Sequence, residues 1–193
     1  VIQYIKSIKP VEIVIVTNGS HRKVSWWQQL AQVLSQHDSV HFSVDGYDNV
    51  SNNAYRVNSD FDSIVAGIQT LRASSSCKII WAAIAFKFNQ DHLPNMQKFA
   101  ESLGVDVFQI TKSTKFGSVY PSYGVNDQLE PSSTYVSSSH RFEREVTSLS
   151  SAGEWSNIPF TNLKLFNQAE SRNGVTPLCK IGNKGCLLYT SPS

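Results

Sequence analysis

Between Val11 and Ile110 the chain alternates short, β-branched apolar runs with helix-length amphipathic segments, and that alternation decides most of its architecture. Val11–Val16 is almost continuously apolar and stops at Thr17-Asn18-Gly19. Val40–Val44 stops at Asp45-Gly46, and Lys78–Phe86 and Val105–Ile110 follow. Runs of this kind suit strands covered on both faces. Ser25 with Gln28 has capping-box spacing, and Trp27, Leu30, Ala31 and Leu34 recur at helical period behind it. Asp60 is placed to cap a helix whose stripe is Phe61, Ile64, Val65, Ile68 and Leu71. Pro94 suits a first helical turn, Met96, Phe99, Ala100 and Leu103 an inner face, and Gly104 a stop. Strands alternating with helices predict right-handed βαβ units and a parallel sheet. The loops after the strands then share one rim, which is where such folds place ligands.

Composition removes several classes of function. Of 193 residues, 40% are hydrophobic and 17% charged, which suits a chain that buries a core. A net charge of +2, with Lys and Arg scattered, supplies no nucleic-acid footprint. No apolar stretch reaches the roughly 18–20 residues that span a bilayer, so neither nucleic acid nor membrane is an expected partner. Three cysteines, Cys77, Cys179 and Cys186, make no even disulfide framework and favour a reducing, cytoplasmic setting. Val1–Ile8 reads as the end of a helix and lacks signal-peptide features, which points to a fragment with an earlier strand outside it.

The rhythm stops after Thr111. Residues 1–112 form the expected α/β unit, and residues 113–193 an irregular extension in which only Arg141–Leu149 has a helical look.

Candidate ligand groups sit at the strand ends, each with an ordinary structural explanation beside it. Asn18 precedes a glycine and is equally a turn residue. Ser43 and Asp45 fall on the same side of their strand, where a pair of hydroxyl-binding groups would sit, although Asp-Gly is also a turn pair. Arg56 offers a fork for a carboxylate or lies on Tyr55 as a surface side chain. Asn89 reaches the rim or caps a helix. Lys112 and Ser113 follow the fourth run. The five histidines show no metal-ligand spacing, and no phosphate-binding glycine loop or nucleophile elbow is present.

Taken in order, Glu12-Ile13-Val14-Ile15-Val16-Thr17-Asn18-Gly19, Trp26-Trp27, Val40-His41-Phe42-Ser43-Val44-Asp45-Gly46, Ala54-Tyr55-Arg56-Val57, Phe61-Asp62-Ser63-Ile64 and Phe86-Lys87-Phe88-Asn89 resemble the middle of a radical S-adenosylmethionine (SAM) enzyme. The resemblance covers about residues 1–112. It implies a partial parallel (β/α) barrel, incomplete at its N-terminus. It also implies a [4Fe–4S] cluster that reductively cleaves SAM, so that a 5′-deoxyadenosyl radical abstracts hydrogen from a peptide or small-molecule substrate. A flavodoxin or ferredoxin would supply the electron. By the same resemblance, Ser43 and Asp45 lie near the SAM ribose, and Asn18, Asn89 and Lys112 lie on the cofactor rim; Arg56, with its fork for a carboxylate, is the candidate substrate contact.

The departures are as informative. The C-x3-C-x2-C cluster loop and the Gly-Gly-Glu motif of the family are missing from this chain, so the fragment is expected to be inactive alone. Pro177-Leu178-Cys179 with Gly185 resembles the start of a SPASM- or twitch-type extension, with Cys179 a candidate auxiliary-cluster ligand. Residues 186–193 resemble translated adapter text rather than native protein. Two other readings stand beside this one: an aldolase-like barrel with Lys112 as Schiff-base lysine, and a non-catalytic α/β binding domain.

Overall fold

The computed structural model describes residues 1–112, 129–143, 181–182 and 185–189. Its elements in chain order are α1 (Ile2–Ile8), β1 (Ile13–Thr17), α2 (Val24–Ala31), β2 (Ser39–Ser43), α3 (Asn49–Asn53), α4 (Phe61–Ser74), β3 (Lys78–Ala85), a 3-10 turn (Gln90–His92), α5 (Leu93–Ser102), β4 (Val107–Lys112), β5 (Ser138–Arg141), β6 (Ile181–Gly182) and β7 (Gly185–Tyr189). They build one open, mostly parallel sheet of mixed α/β type in the order β5-β4-β3-β2-β1-β7-β6. β1 to β4 are parallel neighbours in sequence order. The extension is therefore not wholly irregular. β5 adds antiparallel to β4, and the backbone of β7, inside the segment that resembles adapter text, runs parallel to β1.

Sequential strand order has a direct consequence. Right-handed crossovers that always step the same way leave their helices on one face of the sheet, as in a barrel wall. The packing agrees. Register puts Ile15, Val40 and Ile79 in one row and Thr17, Phe42, Trp81 and Phe108 in the next. Most of these residues join the buried cluster with Trp27 and Leu30 of α2, Ile64, Ile68 and Leu71 of α4, and Met96 and Ala100 of α5. The opposite face carries Val14, Val16, His41, Ser43, Ala82, Ile84 and Gln109, which are only partly buried. That face corresponds to the inside of a barrel.

The helices form where predicted, with local differences. Asp60 caps α4 by accepting from Ser63 N at 3.1 Å, and Gly104 closes α5 with φ +76°. α2 instead starts at Val24, with Lys23 as an N-cap that makes no side-chain bond, so the expected Ser25 box is not used. Trp27 sets its position: the ring is fully buried against Phe42, at 5.1 Å between centroids, and against α4. Gly67 makes that approach feasible, because a Cβ there would stand 2.6 Å from Trp27 Nε1. Tertiary packing outweighs a cap of about 1 kcal/mol. None of the helices among the described residues is long and apolar enough to cross a membrane.

The lower end of the sheet is held by one device used twice. Asp38, just before β2, accepts from Ile13 N of β1 at 2.8 Å and pairs with Lys6 in the last turn of α1. Asp106, just before β4, accepts from Ile79 N of β3 at 2.7 Å and pairs with Arg72 in the last turn of α4 at 2.6 Å. In both units the cation precedes the bonded strand residue by the same number of positions.

Candidate functional site

The C-terminal ends of β1, β2 and β3 lie side by side, because their strands are adjacent and parallel. At the end of β1, Thr17 Oγ1 accepts from Gly19 N at 3.0 Å, and Asn18 Oδ1 accepts from Ser20 N at 3.3 Å. Gly19 is required there twice over. Its φ is +72°, and a Cβ would lie 2.8 Å from the Phe42 ring. The half-buried Asn18 keeps its Nδ2 group without a partner among the described residues. Ser20 Oγ accepts from Asp60 N at 3.0 Å and His21 Nε2 lies 2.7 Å from Asn58 O, so this loop is fastened to the start of α4.

At the end of β2, Ser43 projects to the inner face opposite Ala82, whose small side chain leaves room beside the hydroxyl. That hydroxyl has no hydrogen-bond partner among the described residues, and Ser43 is half-buried. Asp45 is different: it is fully buried, and both its oxygens serve the chain itself. Oδ1 accepts from Ile84 N of β3 at 2.6 Å, and Oδ2 faces Arg56 Nε at 2.6 Å. Burial pushes this carboxyl above its ordinary pKa, against the opposing pull of Arg56 and the Ile84 N–H. Asn89 is also fully buried. It accepts from Phe86 N at 2.8 Å and donates to Asp45 O at 2.7 Å and Ile84 O at 2.8 Å, tying β2 to β3. It stands at the N-cap position of the 3-10 turn, yet its side chain makes no cap bond.

The structure thus brings Asp45, Arg56 and Asn89 into one network, with Ser43 beside it on β2. Lys112 is apart. It is exposed at the end of β4, and its register opposite Ala85 puts it on the helix-side row of the sheet rather than the inner face. Cys179 and Ser113 lie outside the described residues.

Sequence reading missed the residue that organises the loop after β2. Asn52 is fully buried in α3; its Oδ1 accepts from Asp45 N at 3.0 Å and Gly46 N at 3.1 Å, and its Nδ2 donates to Ser59 Oγ at 2.8 Å. α3 itself was readable from Asp48 with Ser51: Asp48 accepts from Ser51 N and Ser51 Oγ, both at 2.7 Å, and the Ser51 hydroxyl accepts in return from Asp48 N at 3.1 Å. Those bonds from Ser51 hold the Asp48 carboxyl below its ordinary pKa.

Far from this rim, the lower part of the inner face has an open depression of about 480 Å³ lined by residues that include Glu12, His41 and Lys78. Burial, and then Lys78, lower the pKa of His41. Among the described residues no set of three His, Cys, Asp or Glu side chains could hold a metal ion. Cys77, buried before β3, has its thiol pKa raised by burial and makes no disulfide.

No protein-family model matches the chain, and no curated protein matches it in sequence. Among solved structures it is similar to that of TYW1 with a lysine–pyruvate adduct bound, at 14% identity and a TM-score of 0.42, over 62% of this chain. The matched region spans 36% of that protein, about a third of its length. A likeness this distant leaves the functional reading to the residues themselves.

Proposed function

We propose that the chain is the central part of a radical SAM barrel and that the rim at the C-terminal ends of β1–β3 holds S-adenosylmethionine. The observation that carries this reading is the rim itself. Asn18, Ser43, Asp45 and Asn89 stand at the ends of three adjacent parallel strands, beside a sheet face that no described helix covers. Within it the roles divide. The free Ser43 hydroxyl and the Asn18 Nδ2 group are available to ribose hydroxyls or to the ligand's polar edge. Asp45 and Asn89 act on a ligand by fixing the backbone that presents them. Lys112, on the helix-side row of the sheet, stands apart from this rim.

The side chains described here do not fit an iron–sulfur cluster, since Cys77 is solitary and sits at the opposite end of the sheet. No radical step is assigned to any residue of this chain. Substrate, whether peptide or small molecule, and a flavodoxin- or ferredoxin-type donor belong to the same proposal. So does a cytoplasmic setting, which accords with the unbridged Cys77.

The test is calorimetric titration of the 193-residue chain with SAM. Saturable binding is expected, and Ser43→Ala should weaken it about tenfold, the loss of one hydrogen-bonding partner. A chain that takes up no SAM, or a variant that binds as well as the parent, would refute the assignment.

A further inference from the structure

Arg56 is the one site residue whose outward groups are both fixed and uncommitted. Its Nε edge faces the buried Asp45 carboxylate at 2.6 Å, and its guanidinium lies 5.7 Å above the centre of the Tyr55 ring. Its backbone is held as well, since Arg56 N donates to Asn52 O at 2.9 Å and Ser59 N donates to Arg56 O at 3.0 Å. The two terminal nitrogens have no hydrogen-bond partner among the described residues, and 22% of the side chain is exposed. A guanidinium held along one edge and one face offers its remaining edge in a set direction, which suits two parallel bonds to a planar carboxylate. Next to it runs an aromatic ladder. The Tyr55 ring lies tilted against Phe86, 4.7 Å between centroids, and Phe86 stacks on Phe88 at 5.4 Å, with Tyr55 and Phe88 only partly buried.

We propose that Arg56 receives the carboxylate of a small ligand whose apolar or ring portion packs on the Tyr55–Phe88 surface, and that Asp45 is the positioning residue that aims Arg56 at it. Charge favours a carboxylate over a phosphate. Asp45 already balances Arg56, and the neighbouring Lys87 is paired with Glu130, so the site suits a monoanion better than a dianion. The inference rests on the reading of the strand ends as a ligand rim and gives that rim's second ligand a chemical class.

The experiment is an NMR titration of the full chain with hippurate, with hippuramide and inorganic phosphate as comparison ligands, following the Arg56 backbone amide and its Nε–Hε signal. Hippurate is expected to bind saturably, with hippuramide and phosphate each at least about tenfold weaker. Arg56→Lys keeps the charge and loses the fork, and should weaken hippurate at least about fivefold. Asp45→Asn should also weaken hippurate and broaden the Arg56 Nε–Hε signal. Equal binding of hippurate and hippuramide by the unaltered chain, which needs no variant, overturns the proposal. So does tighter binding of phosphate, or an Arg56→Lys variant with full affinity. Loss of SAM binding with hippurate binding intact would count against the cofactor assignment and leave this one standing.

Discussion

At the scale of single residues, the strand ends are organised by side chains whose polar groups are spent on the chain itself. Asn52 satisfies two buried N–H groups with one oxygen and spends its amide on Ser59. Removing that oxygen leaves the Asp45 and Gly46 amides without their acceptor, and an orphaned buried donor costs about 1–3 kcal/mol. Asn52→Ala should therefore lower stability by about 2–4 kcal/mol, allowing for a water that enters the space. Urea denaturation measures this, and a loss under about 0.5 kcal/mol, the size of a neutral surface change, would show that the bonds are dispensable. Sequence marks Ser43, Asp45 and Asn89 as candidates because polar residues at strand ends stand out against apolar runs. It could not say which of their groups are spent internally. A buried Asp beside a glycine reads the same whether its oxygens meet a ribose or the next strand's N–H. Asn52 was hidden for the related reason that an asparagine in a polar run looks like surface.

At the scale of elements, the repeated Asp staple explains why the strands begin where they do. Asp38 and Asp106 each receive the N–H of a residue at or near the start of the preceding strand, and each draws in a cation from the helix before that strand. The two differ in burial. The Asp38 side chain is fully buried and also accepts from Ser35 N at 2.5 Å and Ser35 Oγ at 2.8 Å, whereas the Asp106 side chain is 17% exposed. Loss of the first carboxylate strands its donors farther from water. Asp38→Ala is expected to cost about 2–4 kcal/mol and Asp106→Ala about 1–3 kcal/mol, on the same penalty per orphaned donor. Lys6→Ala should cost less than either, because Asp38 keeps its other donors and the ammonium is partly solvated. Denaturation midpoints in the reverse order would mean that the ion pairs, not the N–H bonds, carry the staple. These contacts link residues far apart in sequence, so no local pattern announces them. The strands and the α4 and α5 helices were legible, because apolar period and cap chemistry are local. α2 departed from its expected start where Trp27 packing took over.

At the scale of the whole molecule, function is proposed at the ends of strands whose order decides everything else. In the sequence β4-β3-β2-β1, β2 and β3 are hydrogen-bonded on both edges and covered by α2, α4 and α5 on one face. β4 is flanked by the exposed strand β5, and its last two residues, Thr111 and Lys112, are exposed. Amides in strands paired on both sides and backed by a packed core open only with global unfolding, whereas edge and terminal amides open locally. Native-state hydrogen exchange should therefore find its slowest amides in β2 and β3, around Phe42 and Trp81, with Thr111 and Lys112 among the fastest of the sheet. The loop from Gly46 to Asp60 should fall between these extremes. Its interior bonds are many, but its exposed Val50 and Val57 give it little apolar anchorage. Slowest exchange in β4 would mean that the stable centre of the sheet lies away from β2, the strand that carries Ser43. Protection centred on β2 and β3 would instead mean that the Ser43 and Asp45 end of the rim hangs from the most stable part of the sheet.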